Sequence, residues 1–133
     1  MPAVLVDTNV LYRWQVEPGK LTRQQQRALR IAEQSGTAIS ISAISVWELA
    51  LLGARGRIKV HGPLGGWLDR MVVQPLISIL PITPEIAAEG AQLGSGFHND
   101  PADRIIVATA RCHGLTLLTA DERIKDCGLV GVI

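Results

Sequence analysis

Five of the twelve acidic residues stand where a lone carboxylate is hard to explain. Asp7 ends the apolar run Ala3-Val4-Leu5-Val6 and is the only charge among the first twelve residues. Glu48 is the only charge between Thr37 and Ala54. Leu51 and Leu52 fill the positions where a helical salt-bridge partner would stand. Asp100 and Asp103 precede the nearly apolar Ile105-Ile106-Val107-Ala108, and Asp121 follows Leu115-Thr116-Leu117-Leu118-Thr119. The other acids, Glu17, Glu33, Asp69, Glu85, Glu89, Glu122 and Asp126, fall in polar turns or on ordinary helix surfaces.

Taken singly, each of the five has a structural use. Ser45-x-x-Glu48 fits a capping box with Glu48 at the third helical position. Asp100-Pro101-Ala102-Asp103 reads as a cap, a proline at the first position and an early acid. Asp121 can cap a last turn, and Asp7 can turn the chain at a strand end. Taken together they offer chemistry. Unpaired carboxylates in apolar surroundings are costly, and clustered ones repel and need a counter-charge. A hard divalent cation held by oxygen supplies that charge, and Mg²⁺ often shares its remaining waters with substrate phosphates. One or two such ions polarise a phosphodiester and activate water, and helix N-termini add partial positive charge.

The elements that must position these acids alternate between strand and helix. Ala3–Val6, Ala38–Ile41, Leu76–Leu80 and Leu115–Thr119 read as short apolar strands, with Leu129–Ile133 as a last edge strand. Helices are expected from Asp7 to Trp14, Arg23 to Ser35, Ser42 to Ala54, Leu64 to Val73, Glu85 to Gly94 and Asp100 to His113, with a helical turn at 121–126. Thr22 and Gln25 have capping-box spacing. This alternation predicts a parallel sheet covered on both faces, with sites beyond the carboxyl ends of its strands. Asp7 and Asp121 then sit at strand ends, and Glu48 and Asp103 in the first turns of helices beginning at that same edge. All four are expected to converge on one crevice.

Composition sets the frame. The 133 residues suit one domain, hydrophobic residues make up 47% and charged residues 19%, which excludes a mainly disordered chain. No run approaches the ~20 apolar residues of a membrane span, and no basic leader precedes Asp7. Cys112 and Cys127 form neither a disulfide framework nor a metal motif, so the expected setting is the reducing cytoplasm. Net charge is +1, yet residues 1–70 balance at +4 and residues 71–133 at −3. The basic half favours a polyanion such as nucleic acid.

The segments Val6-Asp7-Thr8-Asn9-Val10-Leu11, Ser45-x-Trp47-Glu48, His98-Asn99-Asp100-Pro101-Ala102-Asp103-Arg104 and Leu118-Thr119-Ala120-Asp121 resemble the PIN-domain ribonucleases, in particular VapC-type toxins of toxin–antitoxin modules. The resemblance covers nearly the whole chain, with its motifs in the family's order. It implies a single PIN-like domain over 1–133, an α/β/α sandwich with a central parallel sheet of four to five strands. It also implies an endoribonuclease dependent on Mg²⁺ or Mn²⁺ and restrained by a cognate antitoxin, forming homodimers and higher toxin–antitoxin assemblies. The family's four metal-site acids map to Asp7, Glu48, Asp103 and Asp121, and Asp100 assists at the rim. Many relatives carry His where this chain has Asn9, and Phe where it has Ala102.

Around these acids, Asn9 and Thr119 either orient ligands and waters by hydrogen bonds or serve ordinary turns. Arg104 either contacts phosphate or forms a structural ion pair. Arg55, Arg57 and Lys59 are either an RNA-contacting run or a solvated helix end. Trp14, Trp47 and Trp67 read as core or interface anchors. An antitoxin segment is expected on apolar surface near Trp14, Trp47 and Leu51, and self-association through the Glu85–Gly94 helix and the N-terminal helices. His61, His98 and His113 share no ligand spacing. A haloacid-dehalogenase-type phosphatase needs a second Asp where Asn9 stands, and a phospho-accepting receiver needs paired acids and a lysine that are missing. The readings left beside a toxin nuclease are a non-catalytic PIN-like binding module and a free-standing PIN nuclease in RNA processing.

Overall fold

The computed structural model describes residues 3–133. Its elements are β1 (Val4–Val6), α1 (Thr8–Val16), a single 3-10 turn (Pro18–Lys20), α2 (Arg23–Ser35), β2 (Ile39–Ser42), α3 (Ala43–Ala54), α4 (Leu64–Val72), β3 (Ile77–Leu80), α5 (Pro84–Ala91), α6 (Pro101–His113), β4 (Thr116–Leu118) and α7 (Glu122–Lys125). The four strands form one parallel sheet in the order β3-β2-β1-β4. The chain therefore winds outward from β1 to β3, then returns to place β4 on the other side of β1. All strands end at one edge, and this reversal beside β1 is where an open α/β sheet leaves a crevice.

Alternation along the strands divides the core. Val4, Val6, Ile39, Ile41 and Leu118 face one layer with Val10 and Leu11 of α1, Leu29 of α2, Leu49 of α3 and Trp67 of α4. Leu5 and Leu117 face the other, with Ile106, Val107 and Ala110 of α6 and Ile124 of α7. Among the described residues no helix is long and apolar enough to cross a membrane.

Local signals set most boundaries. Thr22 and Gln25 close a reciprocal capping box on α2, and Gly36, at φ 69°, ends the helix in the left-handed conformation that glycine adopts without steric cost. Asp100 caps α6 with Pro101 at its first position, and Gly114 closes it at φ 65°.

Two expectations need correction. Ser45 does not cap α3. The cap is Ser42, the last residue of β2, whose hydroxyl accepts from the Ile44 amide at 3.2 Å. Glu48 therefore lies in the second turn, and no capping box involves it. The C-terminal strand is also shorter than expected: only a parallel bridge between Leu117 and Val132 forms, held by the Leu117 amide on the Gly131 carbonyl (2.8 Å) and the Ile133 amide on Leu117 (2.9 Å). The tryptophans, expected as core or interface anchors, divide between core and surface. Trp67 is buried in the core, Trp14 is half-buried, and Trp47 is 58% exposed on α3.

Candidate active site

Beyond the ends of β1 and β4 lies a cavity of about 510 Å³, lined by Asp7, Glu48, Asp100, Asp103 and Asp121 together with Thr8, Asn9, Tyr12 and Arg123. The five acids singled out in the sequence thus share one crevice. Each arrives by a local route. Asp7 is the residue between β1 and α1, where its carboxylate caps the helix by accepting from the Thr8 amide at 2.8 Å. Glu48 projects from α3, which starts directly after β2. Asp103 is in the first turn of α6, and Asp121 caps α7 just past β4.

Hydrogen bonds fix these carboxylates. The Thr119 hydroxyl, fully buried, donates to Asp7 Oδ2 at 2.7 Å and accepts from the Asp121 amide at 3.0 Å. Thr119 therefore joins two acids, Asp7 across the fold and Asp121 through a local turn bond. The Thr8 hydroxyl is bonded to Glu48 Oε1 and lies 2.8 Å from the Ser45 hydroxyl. A carboxylate only accepts, so Thr8 donates to Glu48 and takes its second bond from Ser45. His98 Nε2 lies 2.6 Å from Asp103 Oδ2. Its side chain and those of Asp103 and Asp121 bring ligand atoms within 4.8 Å of one another, the one such group of three among the described residues. Asp7 and Glu48 line the same crevice but fall outside that group of three.

The electrostatics separate the acids. Burial pushes Asp7 up to about 6, against the opposing Thr119 hydrogen bond, and the nearby Asp103 and Asp121 add to the rise. Glu48 is raised chiefly by burial, with Thr8 opposing, and Asp103 likewise with His98 opposing. Asp121 moves the other way, held below the usual range by its hydrogen bond from Arg123. A crevice of oxygen donors whose negative charge is disfavoured by burial and mutual repulsion fits a hard divalent cation.

A stability consequence follows for the metal-free protein. Asp7 binds its proton more tightly when folded, at about 6, than when unfolded, at 3.8. Its contribution to stability is therefore present below 3.8 and is lost as pH rises through about 6. Asp7→Asn is expected to stabilise the chelator-treated protein at pH 7 by ~2–3 kcal/mol and much less at pH 4. Thermal melts of both proteins at the two pH values measure the difference, and an equal effect at both would contradict it.

The remaining expected residues behave differently. Asn9 is exposed in the crevice lining and holds no hydrogen bond to a ligand acid, so it is a rim residue. Asp100 is also at the rim, where its carboxylate accepts from the Asp103 amide at 3.1 Å. Arg55, Arg57 and Lys59 are exposed on the loop after α3, beside Ile58, which lines the crevice. Arg104 does not line the crevice. Its guanidinium donates to the carbonyls of His98 (3.1 Å), Gly90 (3.2 Å), Gly94 (2.9 Å) and Phe97 (2.9 Å), clamping the loop that carries His98. Arg104 was open to a phosphate contact or a structural ion pair; four of its five N–H groups are instead committed to backbone carbonyls.

Sequence reasoning missed Thr8, Ser45, His98 and Arg123. Ser45 and Glu48 share a helix face at i and i+3, a signal that was spent on a capping box. Arg123 stands two residues from Asp121. His98 opens the motif that runs to Arg104 but shares no ligand spacing with the other histidines, and it reaches Asp103 through the loop that Arg104 holds.

Thr119→Val keeps the shape but removes the hydroxyl from Asp7. Loss of such an outer partner reduces metal affinity or activity by roughly 10–100-fold. Thr119→Ser should retain most of it, and metal titration of the two variants checks this.

Comparison with known proteins agrees with the geometry. Residues 4–128 match the model of the PIN domain family. The chain is 38% identical over 126 residues to Ribonuclease VapC22 of Mycobacterium tuberculosis (strain ATCC 25618 / H37Rv), covering 95% of this chain and 92% of the relative. In fold it resembles VapBC2 from Rickettsia felis, solved bound to a DNA fragment from its promoter, with a TM-score of 0.73, 16% identity, and 98% and 97% of the two chains covered. A toxin–antitoxin complex from Klebsiella pneumoniae is similar at TM-score 0.67 and 25% identity, covering 98% of this chain and 96% of that one. The chain belongs to the PIN-domain family and stands with its VapC-type members.

Proposed function

We propose that this protein is a Mg²⁺- or Mn²⁺-dependent endoribonuclease that acts as the toxin of a toxin–antitoxin pair. The observation that carries the reading is the meeting of Asp7, Glu48, Asp103 and Asp121 around one crevice at the carboxyl edge of the sheet. The similarity to a ribonuclease and to a toxin–antitoxin complex supports it. A non-catalytic module would have no use for three carboxylates kept in a setting that disfavours their charge.

In this reading Asp7, Glu48, Asp103 and Asp121 hold the cation. Bound there, it supplies a Lewis acid that polarises the phosphodiester and acidifies water. The surrounding residues set the geometry: Thr119 aims Asp7, Thr8 and Ser45 aim Glu48, and His98 aims Asp103. Asn9 and Asp100 border the entrance. Arg55, Arg57 and Lys59 carry positive charge past the crevice and neutralise flanking phosphates of the RNA. The protein works as a homodimer, extended by its antitoxin into a larger assembly. Trp47, exposed beside Glu48 on α3, supplies apolar surface for an amphipathic antitoxin segment.

The test is incubation of purified protein with total cellular RNA, followed by mapping of new ends. The expected result is a small set of defined ends that disappears when the product of the adjacent small reading frame is added. RNA left intact under every metal condition would contradict the reading.

A further inference from the structure

Arg123 is not explained by the fold. Its side chain is 62% exposed, and exposed ion pairs contribute little to stability. Yet its guanidinium is held closely. Nε lies 3.3 Å from Asp121 Oδ1 and Nη2 lies 3.0 Å from Asp121 Oδ2, while the Arg123 amide also donates to Oδ1 at 2.9 Å. Asp103 Oδ2 is 3.7 Å from Nη2, near enough to attract but beyond a hydrogen bond.

A guanidinium is a planar fork with five N–H groups and two edges on which it can grip an anion. The Nε/Nη2 edge is docked on Asp121. The edge formed by Nη1 and the second Nη2 proton carries no hydrogen bond among the described residues. Arg123 is also the one cation among the described residues that line the crevice, which otherwise presents five carboxylates. Such a crevice repels a phosphodiester unless positive charge meets it there.

We propose that Arg123 is a substrate-binding residue, fixed on Asp121 by one edge of its guanidinium and receiving a phosphate oxygen of the RNA with the other. The inference rests on the ribonuclease reading above and adds a residue to it. Asp121 then has a second task, as the anchor that aims Arg123. Bidentate recognition of phosphate needs the planar fork, so lysine should serve only as a point charge.

The test compares Asp7→Asn with Asp7→Asn/Arg123→Gln and Asp7→Asn/Arg123→Lys. The background keeps the probe, a fluorescent single-stranded RNA, intact during anisotropy titrations. Mn²⁺ uptake is measured by calorimetry on wild type and Arg123→Gln, and circular dichroism confirms folding. Arg123→Gln is expected to weaken RNA binding about ten-fold, the loss of one charge-assisted contact. It should also lower the salt slope of binding by ~0.7. Arg123→Lys should restore the slope but only part of the affinity, and Mn²⁺ uptake should persist in Arg123→Gln. Unchanged RNA affinity with tighter Mn²⁺ binding would reduce Arg123 to a counter-ion for the acids and overturn the proposal. Unchanged RNA and Mn²⁺ affinities would reduce it to a surface pair and overturn it equally. Absence of Mn²⁺ uptake by the wild type would instead sink the ribonuclease reading, and the proposal with it, without any change at Arg123.

Discussion

Asp7→Asn is expected to reduce RNA cleavage by more than the roughly 10–100-fold that outer partners of a metal site contribute. The fold should survive the change. The asparagine oxygen can keep the bond from the Thr8 amide that caps α1, and the amide nitrogen can donate to the Thr119 hydroxyl in place of the bond that hydroxyl now gives. What is lost is a buried negative charge at the meeting of β1 and α1. Purified Asp7→Asn protein with wild-type turnover and an unchanged far-UV spectrum would remove Asp7 from the site.

The second large effect separates two acids that begin the same helix. Asp103→Asn should cost activity on the scale of Asp7→Asn, because Asp103 is half-buried in the crevice and held by His98. Asp100→Ala should chiefly cost stability, about 0.5–2 kcal/mol for a lost helix cap. Its carboxylate accepts from the Asp103 amide and is otherwise solvated at the rim. Asp100→Asn, which preserves the cap, should be close to wild type in stability. Cleavage rates and melting temperatures of the three variants give the answer. An inactive Asp100→Asn beside an active Asp103→Asn would reverse the two roles.

The elements that position these acids were readable because their signals are local. Asp-Pro at 100–101 and Gly114 bracket α6, Thr22 and Gln25 open α2, and the short apolar runs set the parallel strands. The convergence of the four acids also followed from the sequence, since parallel strands send every carboxyl end to one edge. What escaped depends on side chains meeting across the fold. Ser45 fits two local patterns, and only the contact with Thr8, 37 residues away in the chain, decides between them. Arg104 neighbours an acid yet turns to four carbonyls, a choice set by the path of the loop at 94–98. Gln25 fits a local capping pattern, yet its buried amide also donates to the carbonyls of Thr119 and Ile133, tying α2 to the segment after β4 and to the C-terminal residue. The apolar residues at 129–133 suit a strand, whereas only the Leu117 and Val132 pair forms a bridge.

In the proposed function the acids of the crevice work by holding a divalent cation. The most direct measurement is cleavage of cellular RNA by the purified protein in EDTA, repeated after excess Mg²⁺ or Mn²⁺ is added. Cleavage should be absent in the chelator and return in full with either ion, with no recovery for Asp7→Asn. Cleavage that continues undiminished after exhaustive chelation would contradict that function.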